Sequence, residues 1–317
     1  MSKVLITGIA GFVGSHLAER LSGKAEVWGT YIGADLSNLE GVGAHLVECD
    51  LLDADKVRET IREIMPDKVF HLAAQSLPSA SFLDPSRTLK VNIFSSLNIF
   101  EAMVEYVPGA TLLNIGSGDE YGEVDAASLP VKETAELKPL NPYAVSKVTQ
   151  DLLAFQYAKS KGLKAVRCRP FNHYGPRQAD TFVCSAFARQ IAGIEAGVIK
   201  ERVLKVGNLD AAKDFLYVGD VVRAYELLIE KGAHGSVYNV CSGYAVKIRT
   251  ILDTLLSISG ERIELVQDMG KKRPTDTVAL YGDRARLTAL GWEPAFSLED
   301  GLRELLVYWR KRVAEGR

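Results

Sequence analysis

Residues 4–7, Val-Leu-Ile-Thr, make a short β-branched apolar run that ends at glycines, which predicts a strand buried on both faces. The period then changes. Phe12, Val13, Leu17 and Leu21 recur at helical spacing. Residues 26–31 and 44–48 read as second and third strands. Over 53–65, Val57, Ile61 and Ile64 share one helical face, and Pro66 ends the helix. A strand at 68–72, a helix at 88–106 and a strand at 111–115 follow, then a helix at 141–161 and a strand at 165–169. Strands alternating with helices predict an α/β protein with a doubly wound parallel sheet of the Rossmann type.

After Pro170 the rhythm loosens, and Gly, Pro and charge become commoner in the connections. Helices are predicted at 182–195, 218–231, 248–259 and 298–312, and strands at 203–206, 236–240 and 263–266. Residues 1–170 are therefore expected to form the dinucleotide-binding domain, with segments near 214–242 returning to it. Residues 171–317 are expected to form mainly a smaller C-terminal substrate-binding lobe.

Composition narrows the class. The chain has 317 residues, 47% apolar and 25% charged, enough to bury a core without staples. A net charge of −2 and the absence of a basic stripe argue against nucleic acid. Arg310-Lys311-Arg312 reads as the solvated last turn of a helix. No apolar run reaches the roughly 18 residues of a membrane span. Cys49, Cys168, Cys184 and Cys241 have no metal-knuckle spacing, nor do the five histidines, so no metal is expected. Met1-Ser2-Lys3 runs straight into the first strand, from which a cytoplasmic protein without a signal peptide is expected.

Two motifs carry the chemistry. Gly8, Gly11 and Gly14 stand between the first strand and first helix as GxxGxxG, with Phe12 and Val13 inside the motif. Such a turn lets backbone N–H groups approach a pyrophosphate and lets the helix pack close to the sheet. The ribose-reading position, 22 residues after Gly8, is Thr30. No carboxylate stands there to repel a 2′-phosphate and no arginine to attract one, although Asp35 is close by. NADP(H) is favoured, with NAD(H) as the alternative. The second motif is Tyr143-Ala144-Val145-Ser146-Lys147. One helical turn sets Lys147 beside Tyr143. A nearby ammonium is expected to lower the phenol from its ordinary pKa of about 10 and fit it for acid–base work. Ser117, 26 residues upstream at the end of a predicted strand, could hold a substrate oxygen.

Gly8, Gly11, Gly14, Ser117, Tyr143 and Lys147 together resemble the extended short-chain dehydrogenase/reductase family, in its nucleotide-sugar branch. The resemblance covers the whole chain. It implies that Asp50 and Leu51 contact adenine, and that Leu72, Ala73 and Ala74 pass beneath the cofactor. It also implies that Asn92 lies behind the site and that Pro170 lies in the segment reaching the cofactor. His71 by itself reads better as a satisfied core histidine. The segments Phe171–Pro176 and Val206–Asp210 resemble the GDP-mannose 4,6-dehydratase and GDP-6-deoxy-4-keto-mannose reductase group. That implies a nucleotide-diphosphate sugar, a GDP-sugar above others, held by Asn172, Val206, Asn208, Lys213 and Arg273, in a homodimer built on residues 92–106 and 143–161. Lys213 stands where relatives carry arginine, and a lysine cannot form a bidentate fork on a phosphate.

The triad serves reductases, dehydratases and epimerases alike. A 4,6-dehydratase also needs a base near C5 and an acid near C6. In dehydratases a Glu commonly stands where this chain has Asp119, and Gly118 before it has no functional group. Glu120, one place on, would point to the opposite side in an extended segment. For Asp119 and Glu120 a solvated or loop-stabilising role stands beside a catalytic one. The expected activity is NAD(P)H-dependent reduction of a GDP-4-keto-6-deoxy-hexose. A GDP-mannose 4,6-dehydratase, a UDP-sugar 4-epimerase and a non-catalytic dinucleotide sensor are the alternatives.

Overall fold

The computed structural model describes residues 1–33, 35–268 and 279–316. Among them, the strands are β1 (Lys3–Thr7), β2 (Glu26–Tyr31), β3 (His45–Glu48), β4 (Lys68–His71), β5 (Thr111–Ile115), β6 (Lys164–Pro170) and β7 (Asn172–Tyr174). They continue with β8 (Val203–Val206), β9 (Ala212–Lys213), β10 (Phe215–Tyr217), β11 (Val237–Val240), β12 (Val246–Lys247) and β13 (Glu264–Gln267). The helices are α1 (Phe12–Leu21), α2 (Ala54–Ile64), α3 (Pro78–Leu83), α4 (Pro85–Tyr106) and α5 (Pro142–Ser160). After these come α6 (Val183–Glu195), α7 (Val218–Lys231), α8 (Ile248–Ser259), α9 (Ala285–Thr288) and α10 (Leu298–Ala314).

Seven strands pair in parallel in the order β11-β6-β5-β4-β1-β2-β3. The order reverses between β1 and β4, so their carboxyl ends open the crevice where such sheets take ligands. The period of two along the strands sends alternate residues to opposite cores. Val4 and Ile6 join α1 and α7, through Leu17, Leu21, Val221 and Leu228. Leu5 joins α2, α4 and α5, through Val57, Ile61, Phe100 and Ala154. This is the doubly wound sheet the hydrophobic pattern predicts.

A further apolar core gathers α6, α8 and α10 around Leu204, Val206, Phe215 and Tyr217. Its sheets are pairs only: β7 with β10, β9 with β12, and β8 with β13. Four of those strands, β7, β9, β10 and β12, are only two or three residues long. They are too short to print an alternating pattern, and the sequence reading missed them together with α3. Arg310 is not simply solvated, as its place in a terminal basic cluster suggested. Its guanidinium forks onto Glu195 at 2.7 Å and ties α10 to α6.

Candidate active site

The glycine turn is shaped by close approaches. Gly8 has φ +68°, and a Cβ there would lie 3.0 Å from the Ala73 Cα. A Cβ on Gly14 would lie 2.4 Å from the Gly8 carbonyl oxygen. Gly11 caps α1 with no side-chain hydrogen bond and is exposed, which leaves the first N–H groups of the helix facing outward. Phe12 and Val13 are half-buried behind it. Thr30 is only 2% exposed and lies among Leu5, Cys49 and Leu51. What it gives the turn is its backbone carbonyl, which accepts the Ile9 N–H at 3.1 Å. Asp50 is exposed and accepts the Leu52 N–H, whereas Leu51 is buried.

The next strand is locked beneath this turn. Thr7 Oγ1 accepts N–H bonds from Leu72 and Ala73 at 3.1 Å, so its own proton goes to His71 Nδ1 at 2.9 Å. Ser96 Oγ donates to the Asn92 carbonyl, so His71 Nε2 carries the hydrogen that meets Ser96. Burial, followed by the Lys147 charge, pushes the imidazole down to about 3. His71 is thus a neutral, satisfied core histidine. Asn92 holds the loop after β4: its Oδ1 accepts from Gln75 N at 2.7 Å, and its Nδ2 reaches Gln75 O and Ser146 Oγ. Leu72, Ala73 and Ala74 keep part of their surface.

At the carboxyl end of β5 the structure gathers Ser117, Asp119, Tyr143 and Lys147. Asn141 caps α5 by accepting the Ala144 N–H at 2.7 Å, and Pro142 starts the helix. That entry buries Tyr143 against Ser117, whose hydroxyl bonds the phenol. Lys147 is 3% exposed and donates to Ile115 O at 2.8 Å and Gln150 Oε1 at 3.0 Å. Gln150 is held in turn by donating to Asn114.

The electrostatics correct one expectation. Burial and then the Asp119 carboxylate push the Tyr143 phenol above its ordinary value, and the Ser117 hydrogen bond only partly offsets this. Lys147 does not set the phenol here. Its ammonium is spent on two neutral oxygens, and burial brings it down to about 8 against the pull of Glu120.

Glu120 corrects another. Residues 118–121 are not extended but form a 3₁₀ turn capped by Ser117, and Glu120 is fully buried rather than solvated. Its Oε1 accepts the Ser117 N–H at 2.7 Å, and its Oε2 faces Arg169 Nε at 2.9 Å. Arg169 also donates to Asp151 at 2.7 Å, and Arg167 meets the same oxygen at 3.0 Å. The sequence reading missed this cluster. Its signal was present: Arg167 and Arg169 alternate along a strand that after Lys164 is otherwise apolar, and buried cations need anions.

The substrate-side residues sit on the short strand pairs. Asn172 is exposed at the start of β7 and donates to the Asp214 carbonyl at 3.2 Å. Lys213 is half-buried on β9 opposite Val246. Asn208 Oδ1 accepts the Asp210 N–H. Val206 is 4% exposed and belongs to the apolar core of this region. Pro170 is buried at the end of β6. Arg273 lies outside the described residues.

Comparison with known proteins gives a consistent answer. The GDP-mannose 4,6 dehydratase family model matches residues 5–305. A GDP-6-deoxy-D-mannose reductase of Pseudomonas aeruginosa is 38% identical over 314 residues, 99% of both chains. GDP-mannose 4,6 dehydratase 2 of Arabidopsis thaliana is 31% identical, over 93% of this chain and 83% of that one. Among solved structures, RMD of Pseudomonas aeruginosa in complex with NADPH superposes with a TM-score of 0.87 at 38% identity, covering 98% of this chain and 100% of that chain. UDP-glucose 4-epimerase of Thermotoga maritima with UDP-glucose gives 0.89 at 30% identity, covering 98% and 99%.

Proposed function

The chain belongs to the GDP-mannose 4,6 dehydratase family, and from that premise we propose that it is an NADPH-dependent reductase of a GDP-bound 4-keto-6-deoxy-hexose. The observation that carries reductase over dehydratase is the 117–121 turn. Glu120, which could have supplied extra acid–base chemistry, is turned into the core, and Gly118 supplies none. That leaves Asp119 as the carboxylate that bears on Tyr143 from this turn with part of its surface open. The 38% identity to a reductase over nearly both full lengths supports the same reading.

The residues present fit a dinucleotide. Gly8 and Gly14 stand where a side chain would collide with backbone, and the uncapped start of α1 offers N–H groups to a pyrophosphate. When bound, NADPH supplies the hydride for the sugar C4. Ser117 Oγ and Tyr143 Oη hold the C4 oxygen between them. Tyr143 gives it the proton as charge develops there. Lys147, fixed by Ile115 O and Gln150, presents its ammonium to the nicotinamide ribose. Residues 1–170 with the returning 214–242 segments form the dinucleotide side. Asn172, Asn208, Lys213 and Arg273 form the side that grips GDP, and that remote grip orients the sugar.

The molecule works as a homodimer through α4 and α5. Phe94 on α4 and Val145, Leu152 and Phe155 on α5 are 40–52% exposed. Val145 and Leu152, seven residues apart, share one face of α5. No described helix is long and apolar enough to cross a membrane. Four buried free thiols agree with a cytoplasmic setting.

The test is direct. Purified protein given GDP-4-keto-6-deoxy-mannose is expected to consume NADPH and to return a product heavier by two hydrogens, from a particle with the mass of two chains. Conversion of GDP-mannose to a 4-keto sugar without consumption of added NADPH would overturn the reading in favour of the dehydratase. Interconversion of UDP-sugars would favour an epimerase, and cofactor binding without turnover a sensor.

A further inference from the structure

Lys147 presents a puzzle that its own bonds do not resolve. It is an almost fully buried amine whose hydrogen-bond partners, Ile115 O and Gln150 Oε1, are both neutral. A buried ammonium without a counter-charge loses its proton or moves. Glu120 is the carboxylate whose charge acts on it. We propose that Glu120 is a positioning residue of the triad, one oxygen fixing Ser117 and the carboxylate charge keeping Lys147 an ammonium. This deepens the reductase reading and rests on it.

The first half is geometric. The Glu120 carboxylate accepts the Ser117 N–H at 2.7 Å while Ser117 Oγ accepts the Asp119 N–H at 3.1 Å, a reciprocal cap. That cap fixes the backbone of Ser117 and hence the direction of its hydroxyl. The fit is tight: a Cβ on Gly116 would lie 2.2 Å from Glu120 Oε1. Glycine at 116 is therefore the counterpart of glutamate at 120.

The second half concerns charge. The groups facing Glu120 are Ser117 and Tyr121 on its own turn, Tyr143, Lys147 and Asp151 on α5, and Cys168 and Arg169 on β6, with Arg167 behind Asp151. Burial and then Asp151 push the carboxyl of Glu120 up. Arg169, the Ser117 N–H and Lys147 offset this only in part, so the carboxyl stays above its ordinary value. Its Oε1 takes the Ser117 N–H and its Oε2 lies 2.9 Å from Arg169 Nε, and both contacts favour the ionised form. The cations Lys147, Arg167 and Arg169 then outnumber the anions Glu120 and Asp151. Removing Glu120's charge leaves Asp151 shared between two arginines and nothing for Lys147.

The sign follows. A neighbouring negative charge raises the pKa of an amine, so its loss lowers it. Glu120→Gln keeps an oxygen for the Ser117 N–H but removes the charge. It is expected to move the alkaline limb of the kcat–pH profile down by about one unit, and because Glu120 also raises Tyr143, the Lys147 share is read from an earlier alkaline loss of NADPH binding. The activity loss then grows with pH to about tenfold at pH 8.5, with KM for the sugar unchanged. Glu120→Asp keeps the charge but withdraws from Ser117, so kcat is expected to fall at every pH with the limb unmoved. A purely structural role predicts the opposite pattern: both variants lose thermal stability and activity uniformly, and the limb stays put in Gln. That result, or a Glu120→Asp enzyme as fast as wild type, overturns the proposal. If the Gln variant fails to fold, the Asp variant alone still decides the Ser117 half. NADPH affinity followed by fluorescence against pH needs no sugar. Wild-type protein that binds NADPH but reduces no keto-sugar fails the substrate reading alone, because an earlier alkaline loss of binding in Glu120→Gln still tests Glu120.

Discussion

The end of the sheet beneath Tyr143 and the strand pairs that carry Lys213 hold their buried polar groups by different means. Under Tyr143, Glu120, Asp151, Arg167 and Arg169 come from one turn, one helix and one strand, and they pair side chain to side chain. In the strand-pair region a single buried carboxylate, Asp214, collects four donors from two loops. These are Ser242 N at 2.7 Å, Ser242 Oγ at 2.6 Å, Gly243 N at 3.1 Å and Gly282 N at 3.3 Å. Asp220 does the same for the Ala295 and Phe296 N–H groups. The first arrangement fixes angles at a reacting centre. The second gathers loops whose strands are too short to hold themselves. On the proposed reading, chemistry sits on a helix, a strand and a capped turn, and recognition on segments tied at a few points.

Three substitutions sharpen that contrast. Tyr143→Phe removes the proton donor while leaving the ring and the cluster beneath it, and should cut kcat by about a thousandfold. NADPH affinity, read by fluorescence, should not change; a variant that kept a tenth of the activity would remove Tyr143 from the mechanism. Asp214→Ala leaves several buried donors without an acceptor and should cost about 3 kcal/mol of stability. Calorimetry would show this, and KM for the GDP-sugar should rise more than Kd for NADPH. Equal effects on both ligands would mean the two regions are not separable as described. Lys213→Arg restores a fork that can take two phosphate oxygens and should lower KM for the GDP-sugar by about threefold. An unchanged KM would place Lys213 away from the diphosphate.

The glycine turn and the YxxxK helix were legible because each is local. A strand, a positive-φ glycine and a helix start lie within a dozen residues, and one helical turn relates Tyr143 to Lys147. Glu120 was not legible. Its meaning depends on whether 118–121 is extended or coiled, and a single residue of register decides whether the carboxylate faces solvent or Arg169. The direction of the Tyr143 shift was not legible either. Spacing shows which charges are near, whereas burial, here the larger influence, exists only once α5 has packed against β5 and the 118–121 turn.

The amino-acid order alone determined the alternation of strands and helices, the parallel sheet, the glycine bend and the Ser-Tyr-Lys set, because hydrophobic period and short-range spacing write these directly into the chain. Tertiary structure decided which carboxylate is buried, which guanidinium it faces, and how segments near 172, 214, 242 and 282 meet. Those outcomes depend on desolvation and on contacts between residues far apart in sequence, and neither has a local pattern to announce it.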